Sequence, residues 1–275
     1  MLSLLHVSDV HFGPKHLEEP AAAVLELALR RRPAALVVSG DLTQRAKPGQ
    51  FRAARRWIDA SPVPVVFVPG NHDVPMYRFW ERLLAPFGAW RRHFDRDLVR
   101  DHRSAGLAVL GVNTAFAWTT KHGRLRARDL ADLERRLAVE EPASFRVVVA
   151  HHPLAAGPEL HGEPVTRRGG AALGICRRAG VDLVLSGHLH HGFWIETPPG
   201  AGGASGPVAL HCGTTCSSRG RAEERGRNSL NWIEIGADRW RIERAFWDPA
   251  RGEFRPAESY ERRRAAPPNG ARRAS

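Results

Sequence analysis

Short, continuously apolar runs recur along the chain, separated by stretches in which apolar residues return every three or four positions. The first run, Leu2–Ser8, predicts a strand; a helical pattern follows from about Leu17 to Arg32, and Ala34–Ser39 predicts a second strand. Gln50–Ala60 predicts a helix with Phe51, Ala54 and Ile58 on one face, and Val63–Pro69 predicts a third strand. Leu107–Val112, Arg146–Ala150 and Val181–Ser186 predict further strands. A helix lies between the first two of these, with Leu130, Leu133 and Leu137 sharing a face. Because these runs do not alternate apolar with polar residues, they predict strands buried on both faces, as α/β architectures require. Beyond about residue 190 the pattern changes. Gly192–Thr197, Val208–His211, Ser229–Ile235 and Trp240–Trp247 predict antiparallel strands joined by turns, and the stretch 198–207, PPGAGGASGP, predicts a flexible loop. The whole predicts one domain over residues 1–250 and an Arg/Pro-rich, disordered tail over 251–275.

Composition narrows the class. With 275 residues, 43% hydrophobic and 25% charged, the chain is long enough for a sizeable core and too ordinary in usage to be wholly disordered or fibrous. It contains no apolar run of roughly 18 residues, so no membrane span is expected. The N-terminus lacks the basic leader of a signal peptide. Three cysteines, Cys176, Cys212 and Cys216, are too few and odd in number for a disulfide framework, so buried thiols in a reducing cytoplasm are expected. The formal charge is +12, from 41 Lys+Arg against 29 Asp+Glu. Lysine occurs only at 15, 47 and 121, so nearly all of the positive charge is arginine. Two readings stay open: a phosphate-binding surface, which guanidinium suits by its bidentate geometry, or solvated arginines spread over the surface. The segment Tyr77–Phe94 is also open to two readings. It packs Phe79, Trp80, Phe87, Trp90 and Phe94 among Arg78, Arg82, Arg91 and Arg92, as an amphipathic helix with core aromatics or as a lid that meets a base and a phosphate.

Chemistry concentrates where the strands end. Asp9-Val10-His11 follows the first strand, Gly40-Asp41 the second and Gly70-Asn71-His72-Asp73 the third. His151-His152-Pro153 and Gly187-His188-Leu189-His190 follow two later ones. In an open parallel sheet, ligands bind at the carboxyl ends of the strands, so the five clusters are expected to converge. Their oxygen and nitrogen donors suit Mn, Fe, Zn or Ni. The D-x-H and H-x-H spacings predict side chains pointing the same way from extended backbone. Glycines 40, 70 and 187 predict sharp turns and close approach at the strand ends.

In order and in full, D-x-H, GD, GNHD, H and GHxH resemble the calcineurin-like metallophosphoesterase superfamily. The likeness extends over about residues 1–247 and is strongest to the branch of bacterial class III cyclic-nucleotide phosphodiesterases and glycerophosphodiesterases. It implies an α/β fold, a four-layer αββα sandwich of two mixed sheets flanked by helices, with two divalent metal ions (Mn, Fe, Zn or similar) as cofactors. Asp9, His11 and His190 would hold one ion and Asn71, His151 and His188 the other, with Asp41 bridging. His72 is the implied catalytic residue; Asp73 beside it is open to two readings, an orienter of His72 or a turn residue after the strand, while Asn71, His72 and Arg78 are expected to bind substrate. The implied reaction is hydrolysis of a small-molecule phosphodiester, such as a 3′,5′-cyclic nucleotide or a glycerophosphodiester, by in-line attack of a bridging hydroxide. A phosphomonoesterase, a nuclease and a metal-free interaction scaffold are the alternatives. Nucleic acid is not the favoured partner, and oligomeric state is open.

Overall fold

The computed structural model describes residues 1–119, 121–141, 143–199 and 206–264. Two six-stranded sheets carry the fold. In the first, β1 (Leu2–Val7), β2 (Ala35–Val38) and β3 (Val65–Phe67) run parallel, and β10 (Ser229–Ile235), β11 (Arg239–Asp248) and β12 (Glu253–Arg263) extend it antiparallel in the order β12-β11-β10-β1-β2-β3. The second has the order β4-β5-β6-β7-β9-β8. Its parallel centre is β5 (Leu107–Gly111), β6 (Phe145–Val149), β7 (Leu183–Ser186) and β9 (Val208–His211), with β4 (His102–Ser104) and β8 (Phe193–Glu196) antiparallel at the edges.

The continuous apolar runs now have a physical reason. Along β2, Ala35 and Val37 enter the core between the sheets, whereas Leu36 and Val38 face the outer helices. Both faces of each central strand are therefore dry. Outside the first sheet lie α1 (Glu18–Arg31), α2 (Pro48–Asp59) and α4 (Gly88–His93), packed through Val24, Phe51, Trp57 and Trp90. Outside the second lie α5 (Ala127–Ala138) and α6 (Gly169–Arg178), packed through Leu133, Leu137, Ala172 and Cys176. The result is the four-layer αββα sandwich. No helix among the described residues is long and apolar enough to cross a membrane. The three cysteines are free and buried.

Three expectations need correction. Residues 253–263 are not a disordered tail: they form β12, paired with β11 from Asp248↔Glu253 to Arg239↔Arg263. Its sequence, EFRPAESYERR, hides this because an edge strand with largely solvated side chains carries no apolar alternation, and its charges protect the sheet edge from further pairing. Residues 265–275 of the expected tail, and 200–205 of the expected loop, lie outside the described residues. Second, Tyr77–Phe94 is not one helix. Pro86 lacks the N–H a helix needs and disfavours helical backbone before it, so α3 (Phe79–Leu84) and α4 are separate. Phe87, Trp90 and Phe94 enter the core, while Tyr77, Phe79 and Trp80 stay 70%, 63% and 70% exposed. Third, β9 is not antiparallel to every neighbour: it runs parallel to β7, and the chain then changes sheet to form β10.

Candidate metal centre

The strands β1, β2, β3, β6 and β7 end on one side of the sandwich, and the five polar clusters that follow them meet there. Ligand atoms of Asp9, His11, Asp41 and His190 all lie within 4.8 Å of one another. Asp9 Oδ1 is 3.1 Å from His190 Nε2, and Asp41 Oδ2 is 3.7 Å from His11 Nε2. The other Asp41 oxygen, Oδ1, lies 3.4 Å from His151 Nε2. Asn71 Oδ1 is 3.1 Å from that same nitrogen and 3.0 Å from His188 Nδ1. Asp41 thus faces both halves of the cluster. Asp9, His11, Asp41 and His151 have no solvent exposure.

The backbone reaches this arrangement by turning rather than by extending. Asp9 and His11 both have φ of 52°, Asp41 has 51°, and His188 and His190 have 71° and 59°. The side chains of D-x-H and H-x-H therefore do not converge by strand alternation, as the spacing suggested. They converge because each sits in the left-handed region, which costs non-glycine residues on the order of 1–3 kcal/mol and persists where surrounding structure enforces it. The glycines permit close packing around them. A Cβ at Gly40, whose φ is +104°, would collide with the His151 ring, and one at Gly70 would collide with Asp41.

Backbone carbonyls set the imidazole tautomers. His151 Nδ1–H donates to Ser39 O (2.8 Å) and His190 Nδ1–H to Arg219 O (2.8 Å), so each turns its Nε2 toward the cluster. His72 Nδ1–H likewise donates to Gln44 O at 2.8 Å, and its backbone N–H donates to Asp41 Oδ1 at 2.9 Å. Burial alone would raise the Asp9 carboxyl, but His190 and His11 outweigh it and hold it well below the usual carboxylate range. Burial alone would lower the His151 imidazole, yet the Asp41 carboxylate overrides it and pushes it up to about 9. Desolvation keeps His188 and His11 neutral, down to about 3 and about 4.

These donors fit divalent cations. Asp9 Oδ1 and Asp41 Oδ2 are buried without a hydrogen-bond partner. Among the described residues, the basic side chains that face both carboxylates are histidines alone. Two buried carboxylates facing imidazole nitrogens, with no lysine or arginine to balance them, are stable chiefly when a cation joins them.

Two expected site residues do other work. Asp73 does not orient His72: its carboxylate accepts from the backbone N–H groups of Gly70, Leu42 and Thr43 and from Thr43 Oγ1, locking the GD loop to the GNHD turn. The Gln44 carbonyl holds His72 instead. Arg78 does not face the cluster, because its guanidinium is taken by Ala46 O (2.6 Å) and Glu81 (3.0 Å). Arg82 is similarly spent on the Pro75 and Thr119 carbonyls. The cations beside the centre are Lys15, Arg45 and Arg219, which line a cleft of about 250 Å³ together with His72 and Tyr77. Sequence reasoning missed them because no periodicity or motif separates three surface cations from the rest. His152 is buried, bonded to Thr114 Oγ1 (2.9 Å), and packs its ring 4.5 Å from that of His188. A smaller group of His161, His191 and Glu223 also brings ligand atoms within 4.8 Å, but His161 and Glu223 are exposed.

Comparison with known proteins agrees with this geometry. The family profile described as calcineurin-like phosphoesterase matches residues 2–192. The chain is 36% identical over 201 residues to the glycerophosphodiester phosphodiesterase GpdQ of Enterobacter lignolyticus, covering 68% of this chain and 70% of the relative. It is 28% identical over 205 residues to a cAMP/cGMP dual specificity phosphodiesterase of Mycobacterium tuberculosis, covering 68% of this chain and 61% of the relative. In fold it is similar to the purple acid phosphatase PPD1 of yellow lupin, with a TM-score of 0.71 and 14% identity, covering 94% of this chain and 53% of that one.

Proposed function

The chain belongs to the calcineurin-like phosphoesterase family, and from that premise we propose that it hydrolyses a small phosphodiester, such as a 3′,5′-cyclic nucleotide or a glycerophosphodiester, with two divalent metal ions. Asp9, His11 and His190 hold one ion, Asn71, His151 and His188 hold the second, and Asp41 serves both. Mn, Fe and Zn all suit this oxygen and nitrogen donor set. When bound, such ions lower the pKa of a coordinated water and neutralise charge on the phosphoryl oxygens.

The protein's own groups do the rest. The Gln44 carbonyl fixes the proton of His72 on Nδ1, so Nε2 is the nitrogen that faces a substrate in the cleft. Once Nε2 is protonated, it donates toward the oxygen that leaves phosphorus. The strained turns at Asp9, Asp41 and His190 hold their side chains in place before substrate arrives, so little reorganisation is left for the reaction. The observation that carries the reading is the pair of buried carboxylates that, among the described residues, face histidines and no lysine or arginine.

Purified protein incubated with manganese and bis-p-nitrophenyl phosphate, p-nitrophenyl phosphate, cyclic AMP or single-stranded DNA tests it. Turnover of the diesters ahead of the monoester is expected. Absence of hydrolysis together with absence of bound transition metal would instead favour the interaction scaffold. Preferential cleavage of DNA, with affinity falling by orders of magnitude over a few-fold rise in salt, would favour the nuclease.

A further inference from the structure

The cleft beside His72 carries more positive charge than one scissile diester needs. Lys15, Arg45 and Arg219 line it, and no carboxylate is among its lining residues. The backbones of Lys15 and Arg219 are pinned beside the metal centre. The Lys15 N–H donates to Gln44 Oε1 (3.1 Å), the Ser218 N–H donates to Lys15 O (2.9 Å), and the Arg219 carbonyl accepts from His190. The contrast with Arg78 and Arg82 is chemical: those two spend their donors on carbonyls and a glutamate of the same region. Arg45 instead lies over Tyr77, its Cζ 5.0 Å from the ring centroid. Tyr77 remains 70% exposed, so its ring is open to a second flat group.

A phosphodiester bears a single negative charge at the phosphorus to be attacked, and two divalent ions with His72 already answer it. Three further cations in one carboxylate-free cleft repel each other unless an anion sits among them. A phosphate, with several acceptor oxygens and up to two charges, is the group that arginine and lysine together hold best. We propose that this cleft binds a second phosphate carried by the organic part of the substrate, with a base of the same substrate lying on Tyr77. The preferred substrates are then nucleotide diesters that bear an extra phosphate beside the scissile one. The inference rests on the phosphodiesterase reading and adds to it the class of the leaving or retained group.

A matched pair of linear dinucleotides tests it: pApA, with a 5′-phosphate, and ApA, without one. Bis-p-nitrophenyl phosphate, assayed on the same manganese-loaded protein, reports the underlying chemistry. The expected result is a kcat/KM at least about tenfold higher for pApA than for ApA, carried mostly by KM. In the double variant Lys15→Met/Arg45→Met, both exposed side chains, that ratio should fall to near one. Equal kcat/KM for the two dinucleotides, on protein that hydrolyses bis-p-nitrophenyl phosphate, overturns the inference and leaves the phosphodiesterase reading standing. An unchanged ratio in the double variant also overturns it. If none of the three compounds is hydrolysed, and cyclic AMP is not hydrolysed either, the phosphodiesterase reading has failed, and the inference falls with it.

Discussion

At the scale of single residues, the proposed function divides the side chains at the strand ends between ligation and catalysis. Asp41 faces both halves of the cluster, with Oδ2 toward His11 and Oδ1 toward His151. Asp41→Ala should therefore lower bound metal to less than one ion per chain by elemental analysis and cut kcat/KM by more than about a hundredfold. Retention of two ions would refute its double role. His72 is held by a backbone carbonyl and lines the cleft, so His72→Ala should keep its metal while kcat falls by about 10²- to 10⁴-fold. Asp73 is the instructive neighbour. Its carboxylate takes four donors in a buried turn, so Asp73→Ala should lower unfolding stability by about 3 kcal/mol in a denaturant titration, because the stranded N–H groups lose their partner. A catalytic loss at unchanged stability would restore Asp73 as an orienter. The sequence showed Asp73 beside His72 but not which atoms its carboxylate meets. Adjacency along the chain says little about direction when the backbone turns through a short 3-10 segment, as it does at Asn71–Asp73.

Secondary-structure elements were legible in proportion to how dry they are. The strands β1, β2, β5, β6 and β7 announce themselves because both faces are buried, and α2 and α5 because one face is. The elements that escaped are polar, short or broken: β12 has mostly solvated side chains, β4 spans three residues, and α6 is rich in glycine and alanine. Yet β12 covers Trp240, which packs its ring 5.7 Å from Tyr260 and 5.8 Å from Phe145. A chain ending at residue 250 should therefore expose the β11 edge and the Trp240 face. We expect a lower melting temperature and concentration-dependent association by light scattering. A monodisperse truncated chain that melts with the parent would show that β12 adds nothing to the sheet.

Across the whole molecule, the two sheets close over polar groups that lie behind the cluster, and these tie stability to pH. His6 bonds Ser39 Oγ (2.9 Å) and Asn231 (3.2 Å), and His211 bonds Ser186 Oγ (2.9 Å) while its ring stacks on Phe193 at 4.2 Å. Burial pulls each imidazole down to about 3. In the unfolded chain they take protons near pH 6.5, so between about 6.5 and 3 the unfolded state binds more protons and stability falls with falling pH. Between pH 7 and pH 5 the loss is about 2 kcal/mol for each group. His211→Gln should remove that share, giving a smaller drop in unfolding free energy between the two values than in the parent; an identical drop would show that His211 is not held neutral by the fold.

The buried central strands, and the polar clusters that follow them, were legible in the sequence alone. Continuous apolar runs can be satisfied only by strands covered on both faces, and a parallel strand delivers whatever follows it to one end of the sheet. Tertiary structure decided which neighbours those side chains meet. It set Asp9 and His11 in left-handed turns rather than on extended strand, gave His72 to the Gln44 carbonyl, and spent Arg78 on Glu81. It also chose, from an arginine-rich surface, Lys15, Arg45 and Arg219 as the cations beside the centre. The physical reason is that burial patterns are written in local periodicity, whereas the reach of a charged side chain depends on where distant loops stop. Here Lys15 and Arg45 follow the adjacent strands β1 and β2 of the first sheet and Arg219 follows β9 of the second, so all three meet only once both sheets have closed.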